Sequence, residues 1–132
     1  MSKSLKGLLT LLRLPPAAAA VLSTLLTERK ALTLTELTEL TGYAKSHIST
    51  ALQMLEGAYL IERSVTGKKH VFRARVDVIQ ELITKHLITI RSRISQTLSE
   101  IDVSTKLYET LQKIDKEFDE IIKKLEERER NR

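Results

Sequence analysis

From Lys45 to Glu56 the chain reads Lys45-Ser46-His47-Ile48-Ser49-Thr50-Ala51-Leu52-Gln53-Met54-Leu55-Glu56. At 100° per residue Ile48, Leu52 and Leu55, flanked by Ala51, make one apolar helix face. Ser46, Thr50 and Gln53 fall almost opposite, with His47 and Ser49 to either side and Lys45 in the first turn. Short hydroxyls, an amide, an imidazole and one ammonium form this outer face, and no acid precedes Glu56. Such a surface approaches phosphates without repulsion. Its side chains suit base edges: Gln bidentate to adenine N6/N7, Ser and Thr to either partner, Lys to guanine or phosphate. A helix merely facing solvent can carry the same residues, so the flanking segments decide.

A second polar cluster follows. Thr66-Gly67-Lys68-Lys69-His70 puts two cations on a protruding turn, and Arg63, Arg73 and Arg75 flank it with Glu62 as the lone acid. A charged hairpin tip is often a solubility device. Here its charge matches the neutralisation of a nucleic-acid backbone, with Arg63, Thr66, Gly67, Lys68, Lys69, Arg73 and Arg75 as the candidate contacts.

Enzyme chemistry finds no footing. The 132 residues contain no cysteine, which excludes thiolate zinc sites and cysteine nucleophiles, and four glycines leave no glycine-rich phosphate loop. H-E-x-x-H, G-x-G-x-x-G, G-x-S-x-G and G-K-[ST] are all missing, and Gly67-Lys68-Lys69 lacks the hydroxyl. His47, His70 and His86 are too scattered for one metal site, so neither a metal nor a cofactor is expected. Charged residues at 30% are too dense for a membrane span, and hydrophobic residues at 42% are too many for a disordered chain. Arg13 and Pro15-Pro16 interrupt the apolar run Leu8–Leu12, against a cleaved signal peptide. A cytoplasmic, nucleoid-associated protein is the expectation.

Charge divides the chain. Residues 1–76 hold 11 Lys+Arg and 5 Asp+Glu, a net +6; residues 77–132 hold 11 and 12, a net −1. In the first part Pro15-Pro16 starts a buried helix over Ala17–Glu28, with Ala18, Val21, Leu22, Leu25 and Leu26 on its inner face. Thr33 or Thr35 caps the next helix. Thr33 with Glu36 fits a capping box, Leu37 and Leu40 face inward, and Gly42 closes the helix as a left-handed cap. After a short turn comes the helix described first, closed by Gly57. Leu60–Arg63 and Val71–Arg73 then read as two strands around a Val65–Lys68 turn in which Gly67 takes a positive φ. The order is that of a winged helix-turn-helix.

The second part is helical. Ile79, Ile83, Leu87, Ile90, Ile94, Leu98 and Ile101 recur in steps of three and four; Leu107, Leu111, Ile114, Phe118, Ile121 and Leu125 follow a strict heptad. Asp102–Thr105 shifts the phase, predicting a break with Ser104 as cap, and Glu126–Arg132 reads as a frayed tail. So small a domain cannot hide the heptad stripe alone. A second copy of the chain is the expected partner, through Ile94, Leu98, Ile101, Leu107, Leu111, Ile114, Phe118, Ile121 and Leu125.

The segment Leu34-Thr35-Glu36-Leu37-Thr38-Glu39-Leu40-Thr41-Gly42-Tyr43-Ala44-Lys45-Ser46-His47-Ile48-Ser49-Thr50-Ala51-Leu52-Gln53-Met54-Leu55-Glu56-Gly57 resembles the winged helix-turn-helix of MarR-like regulators, most of all the GbsR and TrmB branches common in archaea and bacteria. The resemblance spans about residues 15–76. It implies an archaeal source and a homodimeric transcription factor on double-stranded DNA. Its third helix would lie in the major groove and its wing on the backbone or minor groove, with half-sites about 34–36 Å apart. By position the implied readers are Lys45, Ser46, His47, Ser49, Thr50 and Gln53, with Lys68 and Lys69 in the wing. Ala44 stands where the pattern has a capping Ser, and Ala58-Tyr59 replaces a small polar step. Many such proteins bind small effectors, but no aromatic or ionisable cluster nominates one here. The expected architecture is therefore mainly α with a small β-hairpin wing: a DNA-binding domain over 1–76 and a coiled-coil dimerisation region over 77–132. A sequence-tolerant architectural DNA-binding protein and a protein–protein interaction module are the alternatives.

Overall fold

The computed structural model describes residues 2–75 and 77–131. Its elements run α1 (Lys3–Leu11), α2 (Pro16–Glu28), α3 (Leu34–Thr41), α4 (Lys45–Gly57), β1 (Ile61–Thr66), β2 (Lys69–Ala74), α5 (Val78–Glu100) and α6 (Lys106–Arg130). The architecture is the winged helix-turn-helix followed by two long helices. Two compact units divide the chain, Met1–Val78 and Ile79–Arg132. The expected division after residue 76 falls at Val76, outside the described residues. Among the described residues no helix is long and apolar enough to cross a membrane.

In the first unit α2 begins at Pro16, where a missing N–H costs nothing, and ends at Arg29 in the left-handed region (φ 58°). Every residue from Ala18 to Leu25 is buried, the polar Ser23 and Thr24 included, whereas Leu26 is only partly covered. The buried Thr24 hydroxyl donates to the Ala20 carbonyl (2.8 Å), so it carries no unpaired donor into the core. α1 is an addition to the sequence reading. Ser2 caps it by accepting from the Leu5 N–H, Leu9 is fully buried, and Lys6 Nζ donates to the Tyr43 hydroxyl (2.9 Å).

α3 carries the expected capping box: the Glu36 N–H donates to Thr33 Oγ1 (3.1 Å) and the Thr33 N–H to Glu36 Oε1 (3.0 Å). Gly42 closes α3 at φ 76°. Leu37 is buried, but Leu40 is 46% exposed and does not face inward. α4 seats Ile48, Ala51, Leu52 and Leu55 in the core. Gly57 does not end it by a left-handed turn; Ala58 is the cap and Tyr59 takes the positive φ (60°) instead.

The hairpin is longer than expected, with pairing from Ile61↔Ala74 to Thr66↔Lys69, so that only Gly67 and Lys68 form the turn. Gly67 has φ 65° and Lys68 is not among the positive-φ residues, a pattern of the II′ hairpin class. Leu32 adds a one-residue third strand: its N–H donates to the Phe72 carbonyl (2.9 Å) and the Phe72 N–H to the Leu32 carbonyl (2.8 Å).

In the second unit α6 folds back along α5. Gln80 Nε2 donates to the Leu125 carbonyl (3.0 Å), and Arg91 bonds Asp115 (3.0 Å) and Asp119, which fixes an antiparallel hairpin. The break lies where expected, but Thr105, not Ser104, caps α6 by accepting from the Tyr108 N–H (3.2 Å). Ser104 instead donates its N–H and hydroxyl to Asp102 (2.9 Å each), the backbone bond first, which holds that carboxyl below its usual range. Residues 126–130 continue the helix and are no frayed tail.

The Thr33 N–H, then its hydroxyl, holds the Glu36 carboxyl below its ordinary value. A carboxyl depressed in the folded state adds stability above its unfolded pKa and loses it as pH falls through the folded one. Thr33→Ala removes the acceptor that caps the Glu36 N–H and is expected to cost about 1 kcal/mol for the lost cap. Glu36→Gln should flatten the acid limb of the unfolding midpoint, followed by circular dichroism against pH.

Candidate nucleic-acid interface

The core positions the outer face of α4. Because Ile48, Ala51, Leu52 and Leu55 are buried, Lys45, Ser46, His47, Ser49, Thr50 and Gln53 are all exposed. The Thr50 hydroxyl donates to the Ser46 carbonyl (3.0 Å), which restricts the rotamer and engages its only proton. Ala44 supplies no side-chain cap, and no acid sits in the first turn of α4. The first-turn N–H groups beside Lys45 are thus left to solvent or an outside acceptor.

The hairpin packs against the same side. A cavity of about 370 Å³ lies between the start of α3, α4 and the strands. Ser49 and Gln53 from α4 line it together with Arg63, Lys69 and His70 from the hairpin, over the buried Leu52 and Phe72. Lys45, Ser46, His47 and Thr50 stand outside it. Thr66, Gly67 and Lys68 form the exposed tip.

The expected wing cations separate into two kinds. Arg63 is bonded to Glu56, with Nη2–Oε1 at 2.6 Å and Nε to both carboxylate oxygens at 3.1 and 3.2 Å. Arg75 donates through Nη1 to the Tyr59 carbonyl (3.0 Å) and lies 3.8 Å from Glu62. Arg73 pairs with Glu62 across the ladder and so shares the hairpin face away from Arg63 and Phe72. Lys68 and Lys69 project at or beside the turn, and Lys69 is close enough to Glu36 to help depress its carboxyl. The Arg63 and Arg75 contacts have no local signature, since Glu56 lies 7 residues from Arg63 and Tyr59 lies 16 residues from Arg75 along the chain. Among the described residues no group of His, Cys, Asp and Glu is arranged to hold a metal ion.

In the second unit none of the nine expected seam residues is buried; the buried residue of α6 is Ile122. Leu107 and Ile121 are 54% and 45% exposed, and the other seven are partly covered. The stripe is thus partly covered within the chain and open at Leu107 and Ile121.

The chain matches the IclR helix-turn-helix domain over residues 18–64. Its fold is similar to a transcriptional regulator of known crystal structure, at 15% identity over 95% of each chain (TM-score 0.55). It is also similar to a MarR-family transcriptional regulator from Silicibacter pomeroyi, at 18% identity over 89% of this chain and 79% of that one (TM-score 0.50). At such identities the likeness establishes the fold, a winged helix-turn-helix with long carboxy-terminal helices. No curated protein matches the sequence.

Proposed function

We propose that the protein is a sequence-specific double-stranded DNA-binding transcriptional regulator of MarR-like type, acting inside the cell as a homodimer. One observation carries the reading. An exposed helix face of Lys45, Ser46, His47, Ser49, Thr50 and Gln53, without an acid, borders a hairpin that carries Lys68 in its turn and Lys69 beside it. α4 enters the major groove with these side chains on base edges, and the first-turn N–H groups and Lys45 meet a phosphate. The wing tip, with Thr66 and Gly67 letting the backbone come close, lies on the adjacent backbone or minor groove. Arg73, on the outer hairpin face, is placed for a flanking phosphate.

Fluorescence anisotropy against the chain's own upstream DNA and a scrambled duplex, at two salt concentrations, tests this. A preference of about 10³-fold or more is expected. Equal, steeply salt-dependent binding to both would instead mean an architectural protein, and no binding at low salt an interaction module. Replacing Lys68 and Lys69 by Ala should weaken every duplex alike, with a log–log salt slope shallower by about two per protomer.

The helix variants behave differently. Gln53→Ala should cost about 1–3 kcal/mol on a selected duplex and relax preference at one position. With its hydroxyl held by Ser46, Thr50 meets DNA through its methyl group. Thr50→Val should therefore keep the parent's base preference, while Thr50→Ser should lose about fourfold, near 0.8 kcal/mol for one buried methyl. Equal behaviour of the two Thr50 variants would refute that contact.

The homodimer uses the open part of the carboxy-terminal stripe. Since Leu107 and Ile121 are the most exposed residues of the stripe on the single chain, replacing both by Asp disturbs the α5–α6 contact least. Light scattering should then report half the parent's mass. A retained dimer would move the interface, for instance to Leu8 and Leu11 of α1, which are 39% and 75% exposed.

A further inference from the structure

We propose, resting on the DNA-binding reading above, that Arg63 contacts no phosphate and is instead a positioning residue that sets the wing against the reading helix. Three observations converge on its guanidinium. Glu56 grips it through both carboxylate oxygens at 2.6–3.2 Å, and the Phe72 ring lies beneath it with the centroid 5.1 Å from Cζ. Phe72 is itself buried and bonded in both directions to Leu32, next to the cap of α3. One side chain thus joins the end of α4, both strands and the entrance to α3.

Glu56 is the lone acid of α4 and sits in its last turn, where the helix dipole disfavours a carboxylate and no basic residue of α4 offsets it. Its compensation comes from Arg63. A fork-shaped cation that stacks on a ring suits this place, and a lysine does not reproduce both contacts. The pair is close to neutral, so a phosphate brought to Arg63 meets the Glu56 carboxylate as well. The lysines at and beside the turn therefore carry the backbone contact, and Arg63 carries the angle.

The test combines Arg63→Met, Arg63→Lys, Glu56→Gln and the exchange of Glu56→Arg with Arg63→Glu. Affinity for one duplex is measured across salt, and amide hydrogen exchange of residues 61–74 is measured in the free protein. Arg63→Met and the near-isosteric Glu56→Gln should both weaken binding, by up to about fivefold for a part-exposed pair. Their salt slopes should stay parallel to the parent's, and exchange of the hairpin amides should accelerate. Arg63→Lys should behave like Arg63→Met, and the charge exchange should recover part of the loss.

A slope shallower by about one for Arg63→Met, with tighter binding for Glu56→Gln, would make Arg63 a phosphate contact and overturn the proposal. So would unchanged binding and exchange in both single variants. If the parent binds no DNA, the functional reading fails separately. Hairpin exchange then decides the brace alone, with loss of protection in both variants supporting it and retained protection overturning it.

Discussion

The first unit depends on a helix with no outside. From Ala18 to Leu25 every residue of α2 is buried, so the elements that pack on it, α1, α3, α4 and β2, must each turn an apolar surface inward. Burying one large aliphatic side chain is worth about 1.5–3 kcal/mol, and Val21, Leu22 and Leu25 supply three in two turns. The alanines contribute little area but let neighbouring backbones come close. Through this constraint α4 loses its freedom to rotate. Ile48, Leu52 and Leu55 are drawn to the core, and the polar residues that could meet a nucleic acid are turned out. The outer face is thus fixed by the inner one.

The second determinant is how positive charge is spent. A net +6 over residues 1–76 counts every cation equally, yet Arg63 and Arg75 are committed to internal acceptors while Lys68 lies in the turn and Lys69 beside it. Arg75 braces the carbonyl of Tyr59, a residue in the left-handed region, so the strained step between α4 and β1 is held at its own backbone. A basic surface and a rigid scaffold are built from the same residue type, and geometry alone separates them.

The legible features were those with a local signature. Thr33 with Glu36, Gly42, Gly67 and the apolar spacing of α4 each state their role within a few residues, and the winged helix-turn-helix followed from them. What stayed hidden depends on partners far along the chain. The Leu32–Phe72 bridge is one residue long and has no period. The left-handed residue after α4 is Tyr59, because Gly57 is still inside the helix, and no local rule places a tyrosine there. α1 was obscured by the adjoining prolines, and Leu40, at helical spacing from Leu37, faces out because α3 is too short to be covered at its end. The outer face of α4 was visible as a pattern, but its neighbourhood with Lys69 and His70 required the folded hairpin.

A heptad states that a helix needs a partner and is silent about which. In the second unit α5 meets part of that need, because a five-residue connection makes the intramolecular contact cheap in loop entropy. Arg91 then fixes the register. Asp115, its first partner, raises its pKa, and Asp119 is held low by Lys123 and by Arg91 itself, so a polar clip crosses the two helices at mid-length. The clip consumes the side of α6 that carries Asp115, Asp119 and Ile122. Ile121 is one residue, or about 100°, away from Ile122 and remains open. A second chain meeting α6 would therefore encounter a surface already ordered by α5, and association would cost little of the conformational entropy that zipping two free helices requires. A stripe held at a fixed angle would in this way suit the dimer proposed above better than an isolated helix of the same sequence.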